Sequence, residues 1–299
     1  MKSENNLKAW LYLLPALILL ALFMIYPLID VFIYSFEENY SFLEPYTGIG
    51  FNNYIFVLSN ANFIKSVINT LLIVIITVPL STIIALLLAL GLNSIKPLRK
   101  VFQTIFFLPY VTNTIALGLV FMIIFEYMGD SQIGLMNTIL SWFGIKPIDW
   151  VGQEGPYFAK MIVLSSYIIW VVMPFKVIVL VGALQSVRED YYKAARIDGA
   201  SKTKIFFKIT LPMISPMISY LVITGFIGAF KEYNDAVALF GTDLNSYEMN
   251  TMVGYIYQTL YGAGGYPSYA SAAAIILFAI ILTITFINLL VSKKHVYYS

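Results

Sequence analysis

Apolar residues in this chain come in long unbroken runs, not in the alternating or every-third-and-fourth patterns of soluble strands and helices. A run of about 20 residues is long enough to cross the hydrocarbon core of a bilayer as a helix. The runs place six spans at about 11–36, 67–92, 101–127, 159–183, 213–232 and 269–291. The expected fold class is all-α, a polytopic membrane protein of six transmembrane helices, with residues 1–299 as a single transmembrane domain. The first run exceeds the short core of a secretory signal, and no small-x-small cleavage site follows it. It therefore reads as a retained span, kinked or capped near Pro15 and Pro27. Glu37 to Ile64 is polar, acidic and aromatic, which suits a loop with room for one interfacial helix. Met128 to Tyr157 reads as a loop carrying a short amphipathic helix near Leu135–Phe143, and Asp235 to Ser268 as a loop rich in Tyr and Gly.

The longest polar stretch lies between the fourth and fifth runs, from Arg188 to Pro212, with cations at Arg188, Lys193, Arg196, Lys202, Lys204 and Lys208. Good helix formers with acids at the start predict a helix over Asp190–Ile197. Asp198-Gly199 predicts a tight turn. Ser201 is placed to cap a second helix, with Lys202, Lys204 and Lys208 on one side and Ile205, Phe206 and Ile209 on the other. Pro212 suits an early position of the next span. An apolar ridge with a cationic rim, held between two membrane spans, is shaped to press on a soluble partner.

Composition narrows the class. Charged residues are 11% of the chain against 60% hydrophobic, and soluble domains carry about 25% charged residues. With a mean hydropathy of +0.81, the chain is an integral membrane protein. A formal charge of +2 gives no reason to expect nucleic acid. The absence of cysteine excludes disulfides, thiolate metal sites and cysteine nucleophiles, and the one histidine, His295, lies in a polar tail. Charge placement sets the orientation. With the N-terminus inside, the inner segments hold Lys2, Lys8, Lys96, Arg99, Lys100, the central-loop cations, Lys293 and Lys294. The outer loops hold only Lys65, Lys146 and Lys160, with most of the acids. Both termini and the central loop are thus expected in the cytoplasm. No phosphate-binding loop occurs, and Gly262–Gly265 lacks the lysine and serine such a loop needs. If ATP drives this protein, another chain binds it.

The central loop resembles the EAA signature of binding-protein-dependent ABC importer permeases. That signature is Glu-Ala-Ala, three residues, Gly, nine residues, Ile-x-Leu-Pro. Lys193-Ala194-Ala195, Gly199, Ile209, Leu211 and Pro212 stand at those spacings. Similar likeness runs through the LLPALILLALFMIYPLIDVFIYSF opening, KVFQTIFFLPY, Gly134-Leu135-Met136-Asn137, Ile148-Asp149-Trp150 and SYASAAAIILFAIIL. Nearly the whole chain looks like the first of two permeases in carbohydrate importers of the maltose, lactose and glycerol-phosphate type. Lys193 departs from the family's usual glutamate, and Glu189, one turn earlier, is a possible substitute.

The resemblance implies a type I ABC importer permease fold whose cytoplasmic coupling helix docks on an ATPase through Glu189, Lys193, Ala194, Ala195, Asp198, Gly199, Ile209, Leu211 and Pro212. It implies as partners a second, homologous permease, two cytoplasmic ATP-binding subunits, an extracellular solute-binding protein and a sugar, in a bacterial or archaeal cell membrane. It implies that this chain binds no cofactor and catalyses nothing, with ATP and magnesium held by the partner subunits. By the same resemblance, sugar-contacting positions fall on Tyr110, Thr114, Ile168, Val172, Phe175, Gly225, Gly228, Ala229 and Glu232, with Asn113, Trp170 and Lys176 beside them. Aromatic faces and planar hydrogen-bonding groups are what a sugar needs. Tyr110 and Thr114 would share one helix face.

Ionisable residues inside spans are costly, about 2.5–3.5 kcal/mol each on insertion scales, and usually face the bundle interior. Lys176 and Glu232 read either as an ion pair between spans or as lining of a substrate cavity, with Glu126 and Asp235 at the outer interface. If the cargo were glycerol-phosphate-like or a uronate-bearing oligosaccharide, Lys176 and Lys231 would be its anion partners. A rival of another class is an ion-coupled carrier using Glu232 or Asp235 as a proton site, although no internal repeat is visible. A membrane enzyme is a further rival, disfavoured by the lack of paired catalytic groups.

Overall fold

The computed structural model describes residues 4–95, 99–127, 129 and 134–295; Lys2 and Lys96, which entered the charge argument, and Asp130, one of the outer-loop acids, lie outside them. The structure is almost wholly helical, as a bilayer demands of a chain that must satisfy its own backbone hydrogen bonds. Among the described residues, five helices are long and apolar enough to span a membrane: Lys8–Phe36, Ala61–Ser94, Tyr157–Ser186, Lys202–Phe230 and Pro267–Lys293.

The sixth expected span, over 101–127, is not continuous. It consists of two half-helices, α5 (Arg99–Val111) and α6 (Thr114–Ile124). Asn113 breaks the run because its side-chain oxygen caps α6, accepting from the Ile115 and Ala116 amides at 2.9 and 3.3 Å. Tyr110 and Thr114 therefore do not share one helix face. The order of the other elements is α1 (Glu4–Leu20), α2 (Tyr26–Phe36), α3 (Asn52–Ser59) and α4 (Ala61–Ser94), then α7 (Leu135–Ser141) and α8 (Tyr157–Ser186). These are followed by α9 (Glu189–Ile197), α10 (Lys202–Ile205), α11 (Leu211–Phe230), α12 (Asn234–Phe240), α13 (Met252–Tyr261) and α14 (Pro267–His295). The interfacial helix allowed for in 37–64 is α3, while α12 and α13 fall in 235–268, a segment read as a loop, so that stretch holds more helix than expected.

Two π turns stand where prolines follow. Ala21–Ile25 precedes Pro27, and Phe206–Thr210 precedes Pro212. A proline ring clashes with the carbonyl four residues back and offers no N–H to it. Widening the preceding turn by one residue relieves that clash, with the Tyr26 amide donating to Ala21 O and the Leu211 amide to Phe206 O. Through the second π turn α10 runs on into α11 without a gap, so the expected second short helix is the cytoplasmic end of a span.

The chain forms two compact units. One comprises residues up to Ile64 with Val253–Ala279, the other Lys65–Met252 with Ile280 onward. In the first, a short antiparallel pair, β1 (Glu37–Glu38) and β2 (Gly48–Ile49), lies beside α3. Asn53, fully buried, donates to Ser35 O and Glu37 O at 3.0 Å each, and Ser268 Oγ donates to Tyr40 O at 2.8 Å. Apolar side chains of α1 and α2 from Trp10 to Ile33 remain exposed.

The second unit has two apolar clusters. One gathers α6, α8, α12 and the 148–151 segment around buried Tyr167, whose ring meets Phe121 edge-on at 5.0 Å. A Cβ at Gly118 would sit 2.6 Å from Ala238 O, so glycine lets α6 and α12 approach closely. The other cluster packs Ala85, Ala89 and Leu92 of α4 against Val177, Leu180 and Leu184 of α8 and Ile214 and Leu221 of α11. Such contacts hold by dispersion more than by expulsion of water, because lipid is as apolar as leucine. Small residues on α4 bring the backbones near enough for that.

Candidate transport site and coupling loop

Helices α4, α5, α8 and α11 line a partly open cavity of about 290 Å³. Tyr110 of α5 and Phe175 of α8 line it as a stacked pair, ring centroids 5.7 Å apart and planes 21° apart. Ile168, Val172, Lys176, Gly225, Gly228, Ala229 and Glu232 also line it, so most positions singled out in the sequence meet in one place. Three do not. Thr114 begins α6, where its carbonyl accepts from the Tyr167 hydroxyl. Asn113 is spent as the cap of α6, and Trp170 is 45% exposed away from the lining.

The α4 wall, formed by Thr77, Val78 and Ser81, was not anticipated. Its visible signal is the hydroxyl run Thr77, Ser81 and Thr82 around Pro79 in an otherwise apolar span. Burial explains those hydroxyls. Ser81 Oγ donates to Thr77 O, and Thr82 Oγ1 donates to Val78 O at 2.7 Å. Each oxygen then accepts from the Lys176 ammonium, at 2.7 Å for Ser81 and 3.0 Å for Thr82, with Val78 O at 3.4 Å.

Lys176, 5% exposed, therefore pairs with no acid among the described residues. Among the described residues no ion pair joins it to Glu232, and the reading of these two as a structural salt bridge is set aside. Glu232 instead caps the chain after α11, its Oε1 accepting from the Asp235 amide at 3.0 Å. Asp235, expected at the outer interface, is buried in the first turn of α12, a helix the sequence reading did not anticipate. Lys160, counted as an outer-loop cation, lies 1% exposed in α8 and donates to Gln153 O at 2.9 Å.

The central polar stretch leaves α8 at Val187 and returns through α10 into α11. Helix α9 ends in a Schellman closure, with the Ala200 amide donating to Ala195 O at 2.9 Å and the Gly199 amide to Arg196 O at 3.1 Å. Gly199 has φ +72, the left-handed region that suits glycine. Ser201 caps α10 by accepting from the Lys204 amide at 3.3 Å. Ala195 is buried, while Lys193, Ala194, Asp198 and Gly199 are exposed and Ile197 is 86% exposed. Lys193 lies 3.9 Å from Glu189 and 4.0 Å from Asp190 on its own helix. Leu211 and Pro212 open α11, with Ile209 in the π turn before them. The Tyr192 hydroxyl meets Thr210 Oγ1 at 3.2 Å, tying α9 to that turn.

Comparison with known proteins agrees with this architecture. Residues 81–295 match the family described as binding-protein-dependent transport system inner membrane component. The arabinooligosaccharides transport system permease protein AraP of Bacillus subtilis (strain 168) is 33% identical over 292 residues, covering 95% of this chain and 88% of that one. The trehalose/maltose transport system permease protein MalF of Thermococcus litoralis is 30% identical over 293 residues, covering 98% and 96%. A chain of the bacterial alginate ABC transporter, solved with an alginate pentasaccharide-bound periplasmic protein, superposes with a TM-score of 0.82 at 24% identity over 97% of this chain and 96% of that chain. On these grounds the chain belongs to the family of binding-protein-dependent transport system inner membrane components.

Proposed function

We propose that this chain is the permease subunit of an ATP-driven importer of sugars or oligosaccharides, both of its units working as one permease domain. It would pair with a second permease, two cytoplasmic ATPases that hold ATP and magnesium, and an external binding protein. The reading of the cargo as carbohydrate is supported by relatives named for arabinooligosaccharide, trehalose/maltose and lactose transport. The Tyr110–Phe175 pair supplies the aromatic face a sugar ring packs on.

One observation carries the mechanism. The two helices that contribute most of the cavity wall, α8 and α11, are the two that run directly into the 187–210 loop. A push on that loop is a push on the cavity. Its exposed face, with Ile197 at the tip, is the surface on which an ATPase would act. ATP-driven closure of the ATPases would move the loop as a rigid body, and α8 and α11 would rock between inward-open and outward-open states. The cargo enters in one state and leaves in the other, because the energy comes from differential binding to the two states.

Gly199→Asp tests this. A side chain at φ +72 strains the turn by about 1–2 kcal/mol and puts a charge on the docking face. In liposomes holding the complete importer, uptake is expected to fall at least tenfold while ATP hydrolysis and assembly persist. Unchanged uptake, or uptake by this chain without ATPase subunits, would overturn the proposal.

A further inference from the structure

We infer that the cargo carries an anionic group, a carboxylate or a phosphate, and that Lys176 is its counter-ion inside the membrane. The inference rests on the reading of the cavity as the cargo pathway.

Two ordinary donor bonds leave Lys176 Nζ, to Ser81 and Thr82, and the third contact, to Val78 O at 3.4 Å, is long, so one of the three N–H groups of the ammonium is only loosely held and can turn to an anion. Its acceptors are all neutral. The hydroxyl protons of Ser81 and Thr82 are already committed to Thr77 O and Val78 O, so only oxygen lone pairs face the amine. The α4 cradle thus orients a positive charge without cancelling it. An uncompensated charge in an apolar span is costly, and no acid offsets it among the described residues. Glu232 lines the same cavity but is turned to the Asp235 amide. Lys231, the other candidate anion partner, is exposed and absent from the lining.

Gly225 provides a second, independent sign. A Cβ there would lie 3.4 Å from Lys176 Nζ and 3.2 Å from Val78 Cγ1. Glycine on α11 leaves the approach to the amine open from the cavity side. With the Tyr110–Phe175 pair beside it, the site matches a ring bearing one acidic substituent.

The test uses the complete importer in liposomes with one binding protein throughout, so any change in preference between variants belongs to the membrane site. Uptake of a uronic-acid trisaccharide, a hexose phosphate and an uncharged trisaccharide is compared. Lys176→Gln keeps a donor for Ser81 and Thr82 but removes the charge. It is expected to lower the acidic-to-neutral uptake ratio about tenfold or more, the size of a lost charged hydrogen bond. Lys176→Arg is expected to recover much of the ratio. Gly225→Ala, which suits a helix, is expected to lower the ratio by obstructing the amine. A fall in the uronate arm alone identifies a carboxylate, and a fall in the phosphate arm alone a phosphate. Lysine acting only as a helix tie would reduce melting temperature in Lys176→Gln and leave the ratio unmoved in both variants, which would overturn the inference. Import of the uncharged trisaccharide alone by the unaltered protein would also overturn it while leaving the importer reading intact. Import of none of the three would remove both.

Discussion

Asn137 shows how much one side chain can organise. Fully buried, it donates to Ile148 O at 3.0 Å and Glu126 O at 3.4 Å, and it accepts from the Ile148 amide at 3.0 Å and Trp150 Nε1 at 2.9 Å. It thereby joins the Gly134–Asn137 and Ile148–Trp150 motifs, which look unrelated in the sequence. Neighbouring glycines serve the same knot. A Cβ on Gly134 would lie 2.6 Å from Ile123 O, and one on Gly155 2.3 Å from Asp149 O. Asn137→Ala strands several buried polar groups, each costing about 1–3 kcal/mol. The expected loss is about 3 kcal/mol of stability, read as a lower melting temperature of the purified protein. A shift no larger than that of an exposed control substitution would show that water replaces the side chain.

Elements were legible to different degrees, for physical reasons. Spans announce themselves because twenty apolar residues have few soluble alternatives. The turn at Gly199 and the cap at Ser201 are local, and local chemistry settled them. The division of 101–127 into half-helices was less visible, since Asn113 within an apolar run can cap or can line a cavity. Helix α13 was missed because its tyrosines look like loop composition, and α12 because seven residues opening Asn234-Asp235 read as a turn until burial is known. Proline placement, by contrast, has a consequence at this scale. Pro212→Ala restores an amide at the head of α11 and removes the reason for the π turn at Phe206–Thr210. The turn is expected to tighten toward α geometry, gaining about 1–3 kcal/mol locally. Amide exchange across 206–212 is then expected to slow about fivefold or more, and on the proposed mechanism the coupling of ATP hydrolysis to uptake weakens because the loop is re-aimed. Unaltered exchange would mean that packing, not the proline, holds the wide turn.

At the scale of the molecule, residues distant in sequence set the outer ends. Asn69 donates to Glu248 O and Asn250 O, both at 2.8 Å, and Thr70 Oγ1 accepts from the Met252 amide at 3.0 Å. Lys65 bonds to the Glu248 carboxylate, and that hydrogen bond holds Glu248 below its ordinary value of 4.5. A carboxyl with a lowered folded-state pKa stabilises above its unfolded value, and the contribution disappears as pH falls through the folded value. Both side chains are about half exposed, at 43% and 50%, so the pair is worth at most about 1 kcal/mol. Glu248→Gln should therefore lower the melting point slightly at pH 7, and the difference from the unaltered protein should vanish well below pH 4.5. A difference that persists in acid would assign the effect to the left-handed backbone at Glu248, φ +60, instead of the charge.

The sequence by itself determined that this is a membrane protein of helical spans, with a basic helix-turn segment closed at Gly199 and a family signature along it. Those features depend on run length, composition and neighbours a few residues apart, and each is decided before the chain meets itself. Only the tertiary structure decided what Lys176 faces. Its choice between Glu232, just past the end of α11, and the hydroxyls of α4 turns on which helices pack together, and that packing brings position 176 within bonding distance of Ser81, 95 residues away.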